Sequence, residues 1–80
     1  MIHARPDYNR FQDPDNLIPQ DEPVQLWRAQ DKYFSRLLRM YASWIEKDGG
    51  DPEIVSRCRK HAELSDALST KKMPILRKLN

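Results

Sequence analysis

The chain has 80 residues, a formal net charge of +2, 32% charged residues and one cysteine, Cys58. A single domain of this size gains only a few kcal/mol of net stability from its core unless a metal, disulfides or association add to it. Cys58 has no partner for an internal disulfide and no second thiolate with which to hold a metal, so association is the remaining support, and neither a cofactor nor a metal is expected.

The charge is uneven. Counting Asp, Glu, Lys and Arg, residues 1 to 20 carry −1, 21 to 50 carry 0, 51 to 68 carry −1 and 69 to 80 carry +4. A protein whose main work is on duplex DNA more often carries a basic face on a folded element, so nucleic acid is not the expected partner. No stretch of about 18 apolar residues and no leader-like apolar run is visible, so neither a membrane span nor a leader is expected and the cytoplasm is the expected location.

Residues 1 to 21 contain Pro6, Pro14 and Pro19 and a concentration of Asp and Asn, which together favour turns over a regular helix. Within this arm, Arg5-Pro6-Asp7-Tyr8-Asn9-Arg10-Phe11 sets two guanidinium groups beside two rings. One reading has Tyr8, Phe11, Leu17 and Ile18 laying the arm onto the helices. The other has Arg5, Tyr8 and Arg10 meeting an anionic, ring-bearing ligand, since Arg forks fit phosphate and Tyr offers a stacking face and a hydroxyl.

Residues 22 to 48 predict a long amphipathic helix with Pro23 at its first position and Asp21, Glu22 and Gln25 around its first turn. Wound at about 100° per residue, Trp27, Phe34, Leu37, Leu38, Tyr41, Trp44 and Ile45 share one side, and Arg28, Lys32, Ser35, Arg39, Ser43 and Glu46 the other. The apolar sector spans roughly 160°, wider than the ~100° stripe that one partner surface covers. Self-association through Trp27, Phe34, Tyr41 and Trp44 is therefore expected. Gln30 interrupts this sector and requires a hydrogen-bond partner, from the arm backbone, from its own copy across a symmetric interface, or in a pocket.

Asp48-Gly49-Gly50-Asp51-Pro52 marks a helix end, an N-cap and a new first turn. The short loop predicts an antiparallel αα-hairpin with a second helix over 52–68, whose inner side holds Ile54, Val55, Cys58, His61, Ala62, Ser65 and Leu68. Cys58 and His61 stand one turn apart there, and the residues favour a core Cys with a hydrogen-bonded His over a nucleophile or half a metal site, which needs further ligands. Residues 69 to 80 form a basic tail in which Pro74 stops a continuous helix. The tail either packs its apolar residues on a neighbouring subunit, with its lysines solvated, or contacts phosphate, a membrane surface or nucleic acid.

The pattern Arg5-Pro6-Asp7-Tyr8-Asn9-Arg10, Asp13-Pro14, Asp21-Glu22-Pro23-Val24, Arg28-Ala29-Gln30-Asp31-Lys32 and Gly49-Gly50-Asp51-Pro52-Glu53-Ile54-Val55 resembles small proteins encoded by bacteriophages and prophages. An arm followed by a helical hairpin is also similar to the architecture of phage anti-defence sponge proteins, a resemblance that implies an oligomer sequestering a cyclic nucleotide or ADP-ribose-type immune signal without cleaving it. Together these readings give an all-α, oligomeric, single-domain protein with no catalytic residues. Its ligand contacts are expected at Arg5, Tyr8 and Arg10 of the arm and at Arg28 and Lys32 of the long helix. The other classes open to this sequence are a protein-interaction inhibitor of a host protein and a nucleic-acid-binding or virion accessory protein acting through Lys71, Lys72, Arg77 and Lys78.

Overall fold

The computed structural model describes residues 1 to 5 and 12 to 75. Its elements in chain order are two short strands, β1 (Ile2–His3) and β2 (Pro23–Val24), and two helices, α1 (Phe34–Lys47) and α2 (Pro52–Ala67). Regular structure is mostly helical, with the helices in a hairpin-like pair, but the all-α expectation misses a two-stranded parallel sheet. None of the helices among the described residues is long and apolar enough to cross a membrane. The chain divides into two compact units, one of residues 1 to 26 with 75 to 80 and one of residues 27 to 74.

In the first unit Ile2 pairs with Pro23 and His3 with Val24. The amides of Ile2 and Ala4 donate to the carbonyls of Glu22 (2.7 Å) and Val24 (3.1 Å), an arrangement that asks nothing of the missing N–H at Pro23. Asp13-Pro14-Asp15-Asn16 closes a turn in which Asn16 N–H donates to the Asp13 carbonyl at 3.0 Å. Pro14 supplies the fixed φ of the turn, and Asn16 takes a left-handed φ of 53°, which Asn tolerates better than most residues. The Asp13 carboxylate then accepts the amides of Leu17 (2.9 Å) and Ile18 (2.8 Å), so the proline-rich stretch is held by its own polar side chain.

In the second unit α1 starts at Phe34, twelve residues after the expected start at Glu22. Two competing uses of the backbone explain the difference. Upstream, Pro23 and Val24 belong to the sheet. Downstream, Asp31 forms a parallel bridge with Lys72: Lys32 N–H donates to the Lys72 carbonyl (2.9 Å) and Lys72 N–H to the Gln30 carbonyl (2.7 Å). The Asp31 carboxylate accepts the Tyr33 amide (2.8 Å) and Trp27 Nε1–H (3.1 Å), a side-chain alternative to helical bonding that leaves residues 27 to 33 as a turn. Gln30 thus meets the chain's own tail through its backbone, in a turn and not on a helix.

The loop between the helices follows from its glycines. Gly50 N–H donates to the Ile45 carbonyl (2.8 Å) and Gly49 N–H to Glu46 (3.2 Å), the paired bonds of a Schellman end, with Gly49 at φ 75°. Asp51 caps α2 by accepting the Glu53 amide at 2.9 Å, and Pro52 occupies the first turn. Two ion pairs fix the helix register: Arg39 with Asp66 (2.6 Å) and Arg59 with Glu46 (2.9 Å). Position numbers that rise along α1 fall along α2, as antiparallel neighbours require. Between these pairs lie Ala42 and Ala62, both with no exposed surface, and small residues of this kind allow helices to approach closely. Phe34 and Val55 complete the buried apolar set among the described residues.

Ser65 is the fully buried polar residue at the α1-start end. Its hydroxyl donates to the Ala29 carbonyl (2.7 Å) and accepts from Lys71 Nζ (3.0 Å), while the same ammonium donates to the Ser65 carbonyl. One hydroxyl therefore ties the 27–33 turn, the C-terminal end of α2 and the tail together, and the lysine supplies the cation that the last turn of α2 lacks.

Candidate functional site

The expected ligand residues fall in two places. Tyr8 and Arg10 lie outside the described residues. Arg5 follows β1 in the first unit, half-buried, with its guanidinium donating to the Ile75 carbonyl. Arg28 and Lys32 stand on the turn before α1 in the second unit, exposed, and not on a helix as the periodicity had suggested.

The bridge between Asp31 and Lys72 adds to this second group. It brings the exposed basic pair Lys71 and Lys72, about forty residues away in sequence, beside the turn that carries Arg28 and Lys32. The adjoining helix start carries more cations than anions, the Asp31 carboxylate on the Tyr33 amide being the acidic group among them. The N-cap residue Tyr33 makes no side-chain cap bond, the first turn of α1 has no acidic residue, and Arg36 is exposed within it. A ring is present as well, since Lys32 Nζ lies 5.2 Å from the centroid of the half-buried Tyr33 ring. The cluster can hold an anion by charge and a planar group by stacking. The sequence offers Lys72 only as one of the tail cations open to phosphate or nucleic acid and gives Tyr33 no ligand role, because the bridge that sets Lys72 beside Arg28, Lys32 and Tyr33 has no local signature. The uneven charge of the tail was the one visible sign.

The four residues expected at an oligomer interface separate. Trp27 is half-buried and packs on the buried Phe34, ring centroids 5.2 Å apart at 59°. Tyr41 and Trp44 remain 52% and 56% exposed. Leu37 beside them, and Ile54 and Leu64 on α2, are also large and exposed. His61, expected on the inner side of α2, is exposed, and Cys58 is half-buried. Among the described residues, no three His, Cys, Asp or Glu side chains converge as metal ligands would.

The opposite surface of the hairpin is polar, with an open groove lined by Pro52, Ser56, Arg59, Lys60 and Glu63. Its central cation is already committed: the Arg59 guanidinium, first by hydrogen bonding and then by charge, holds the Glu46 carboxyl below its usual range, and Glu46 raises Arg59 in return. Asp66 is likewise held low, by hydrogen bonds from Arg39 and then Ser35. These pairs set helix register and leave the groove little charge with which to select a ligand. Comparison with protein-family models, curated proteins and solved structures finds no match.

Proposed function

We propose that this protein is a noncatalytic binder that captures a small anionic, ring-bearing ligand at the basic end of the hairpin. The observation that carries the reading is the Asp31 to Lys72 bridge, which gathers cations from two distant segments at a helix start with no acidic residue in its first turn. Arg28, Lys32 and Lys72 would pair with phosphate, and Tyr33 would offer its ring to a base. Arg5, Tyr8 and Arg10 form a second candidate set of the same chemistry in the arm. The resemblance to phage proteins, and to sponges in architecture, makes a nucleotide immune signal the ligand class, a cyclic oligonucleotide or an ADP-ribose derivative held intact.

Native mass spectrometry of the full chain with a panel of cyclic dinucleotides, cyclic trinucleotides and ADP-ribose derivatives tests the reading. One ligand retained intact at a fixed ratio is expected, and Lys32→Glu with Lys72→Glu should lower its affinity about tenfold or more, since each site loses an attraction and gains a repulsion. Retention of no ligand, or equal retention by the doubly substituted protein, overturns the assignment.

A further inference from the structure

We propose that the exposed apolar face of the hairpin receives a second copy of this chain, packed antiparallel to the first. This goes beyond anion capture, because the contact is made by the α1–α2 face, and the basic end that holds the proposed ligand residues serves only to orient it.

The face follows from helix geometry. Taking the buried residues as the inward direction, Leu37, Tyr41 and Trp44 turn to one side of α1 at about 100° per residue. Ile54, His61 and Leu64 turn to the same side of α2, because in antiparallel helices the sense of rotation reverses. Arg39, Glu46, Arg59 and Asp66 fall on the other side of both helices, as their ion pairs require. One broad surface of the hairpin is therefore polar and salt-bridged between the helices, and the other carries the large aromatic and aliphatic side chains, with Arg57, ion-paired to Glu53, and His61 among those of α2.

The apolar surface is large for so short a chain. Five apolar side chains about half-exposed, at ~150–250 Å² for a large side chain, amount to about 500 Å². That is the size of the largest patch on much bigger monomers, where such patches are often functional. Two copies face to face would cover about 1,000 Å², the lower limit for a specific interface. A self-complementary patch suits a two-fold dimer, in which the same surface serves both partners.

Charge selects the orientation. The loop end of the hairpin, residues 47 to 53, carries −2 from Asp48, Asp51 and Glu53 against Lys47. The opposite end, residues 28 to 36 with 71 and 72, carries +4 from Arg28, Lys32, Arg36, Lys71 and Lys72 against Asp31. A parallel pair would set like ends together, whereas an antiparallel pair sets each acidic loop against a basic end. Two hairpins so arranged form a four-helix layer with Trp44 and Leu64 in its seam.

Sedimentation equilibrium of the full chain across the micromolar range should give a dimer. Trp44→Glu and Leu64→Glu should each raise the dissociation constant about tenfold or more, as for a central aromatic or aliphatic anchor, while circular dichroism keeps its helical signal because both side chains are exposed in the single chain. Orientation is read by disulfide cross-linking in a Cys58→Ser background that retains the helical signal. A mixture of Asp48→Cys and Lys32→Cys chains should link across the two types, and Asp48→Cys alone should link poorly, because α1 separates its ends by about 21 Å. A monomer at every concentration overturns the pairing, as does a monomer that instead floats with phospholipid vesicles through this face. Efficient linking of Asp48→Cys to itself overturns the antiparallel arrangement.

Discussion

Replacing Ser65 by alanine removes one oxygen atom and, with it, one of the ties among three segments. Ser65 has no exposed surface, so water cannot take the place of the lost hydroxyl. The Ala29 carbonyl loses its 2.7 Å donor and Lys71 loses one of two acceptors, while the Ser65 carbonyl bond to Lys71 survives. Leaving one part-buried carbonyl without a donor costs about 1–3 kcal/mol, and the lysine bond adds less because its ammonium can turn to water. In a domain of this size 1 kcal/mol shifts the midpoint by roughly 4–8 °C, so Ser65→Ala should lower Tm by about 4–24 °C. Thermal and urea melts followed at 222 nm measure it, with an unchanged urea m-value as the check that the unfolded reference is the same. Lys71→Ala should cost less, and the double variant less than the two single losses combined, because both act through one network. A Tm within about 1 °C of the parent for Ser65→Ala would show that the 27–33 turn is not held through this hydroxyl.

The two loop glycines should respond differently to alanine. At Gly49 the obstacle is the φ of 75° with open space around the new methyl, and the loss should be about 1 kcal/mol. At Gly50 a Cβ would stand 2.5 Å from Ile45 Cγ2 and 3.2 Å from the Ile45 carbonyl, so the larger loss is expected there, about 1–3 kcal/mol by urea denaturation. Equal losses at the two sites would contradict the close approach of Gly50 to Ile45. The protein should also lose stability in acid. Glu46 and Asp66 have folded pKa values below their unfolded ones, so their contribution is complete above about pH 5 and is withdrawn as pH falls below about 4. Glu46→Gln with Asp66→Asn should flatten that part of a Tm-against-pH profile, and an unchanged slope would assign the acid loss to other carboxylates.

The hairpin was legible where each local signal agreed with its neighbours. Asp48-Gly49-Gly50-Asp51-Pro52 stated a helix end, a turn and a helix start in five residues, and the structure uses Gly49, Asp51 and Pro52 in those roles. The start of α1 was misread because amphipathic spacing from Trp27 onward continues smoothly into the true helix, while the forces that end it at Phe34 are non-local. They are a strand partner at Ile2 and His3 and a bridge partner at Lys72. Asp31 was the one local clue, an Asp able to bond the amide two residues on, hidden in a segment that otherwise favours a helix. For the same reason the periodicity assigns Arg28 and Lys32 to a polar helix face and gives no sign that Lys72 of the tail is their neighbour.

The distribution of residue sizes explains why a surface stripe carries so much of the case for association. Along the buried seam the helices contribute Phe34 at one end and then Ala42, Val55, Ala62 and Ser65, whereas the exposed side of the same hairpin carries Leu37, Tyr41, Trp44, Ile54 and Leu64. Burying a large apolar side chain stabilises by about 1.5–3 kcal/mol, and alanine offers little of this. About half of the surface of these five large side chains therefore lies outside the core of the second unit. A fold built this way leans on caps, the Schellman end and the Ser65 ties for its internal order. The hydrophobic contribution that remains can be realised only when something covers Trp44 and Leu64, and a second copy brings the same surface together with the opposite charge at each end.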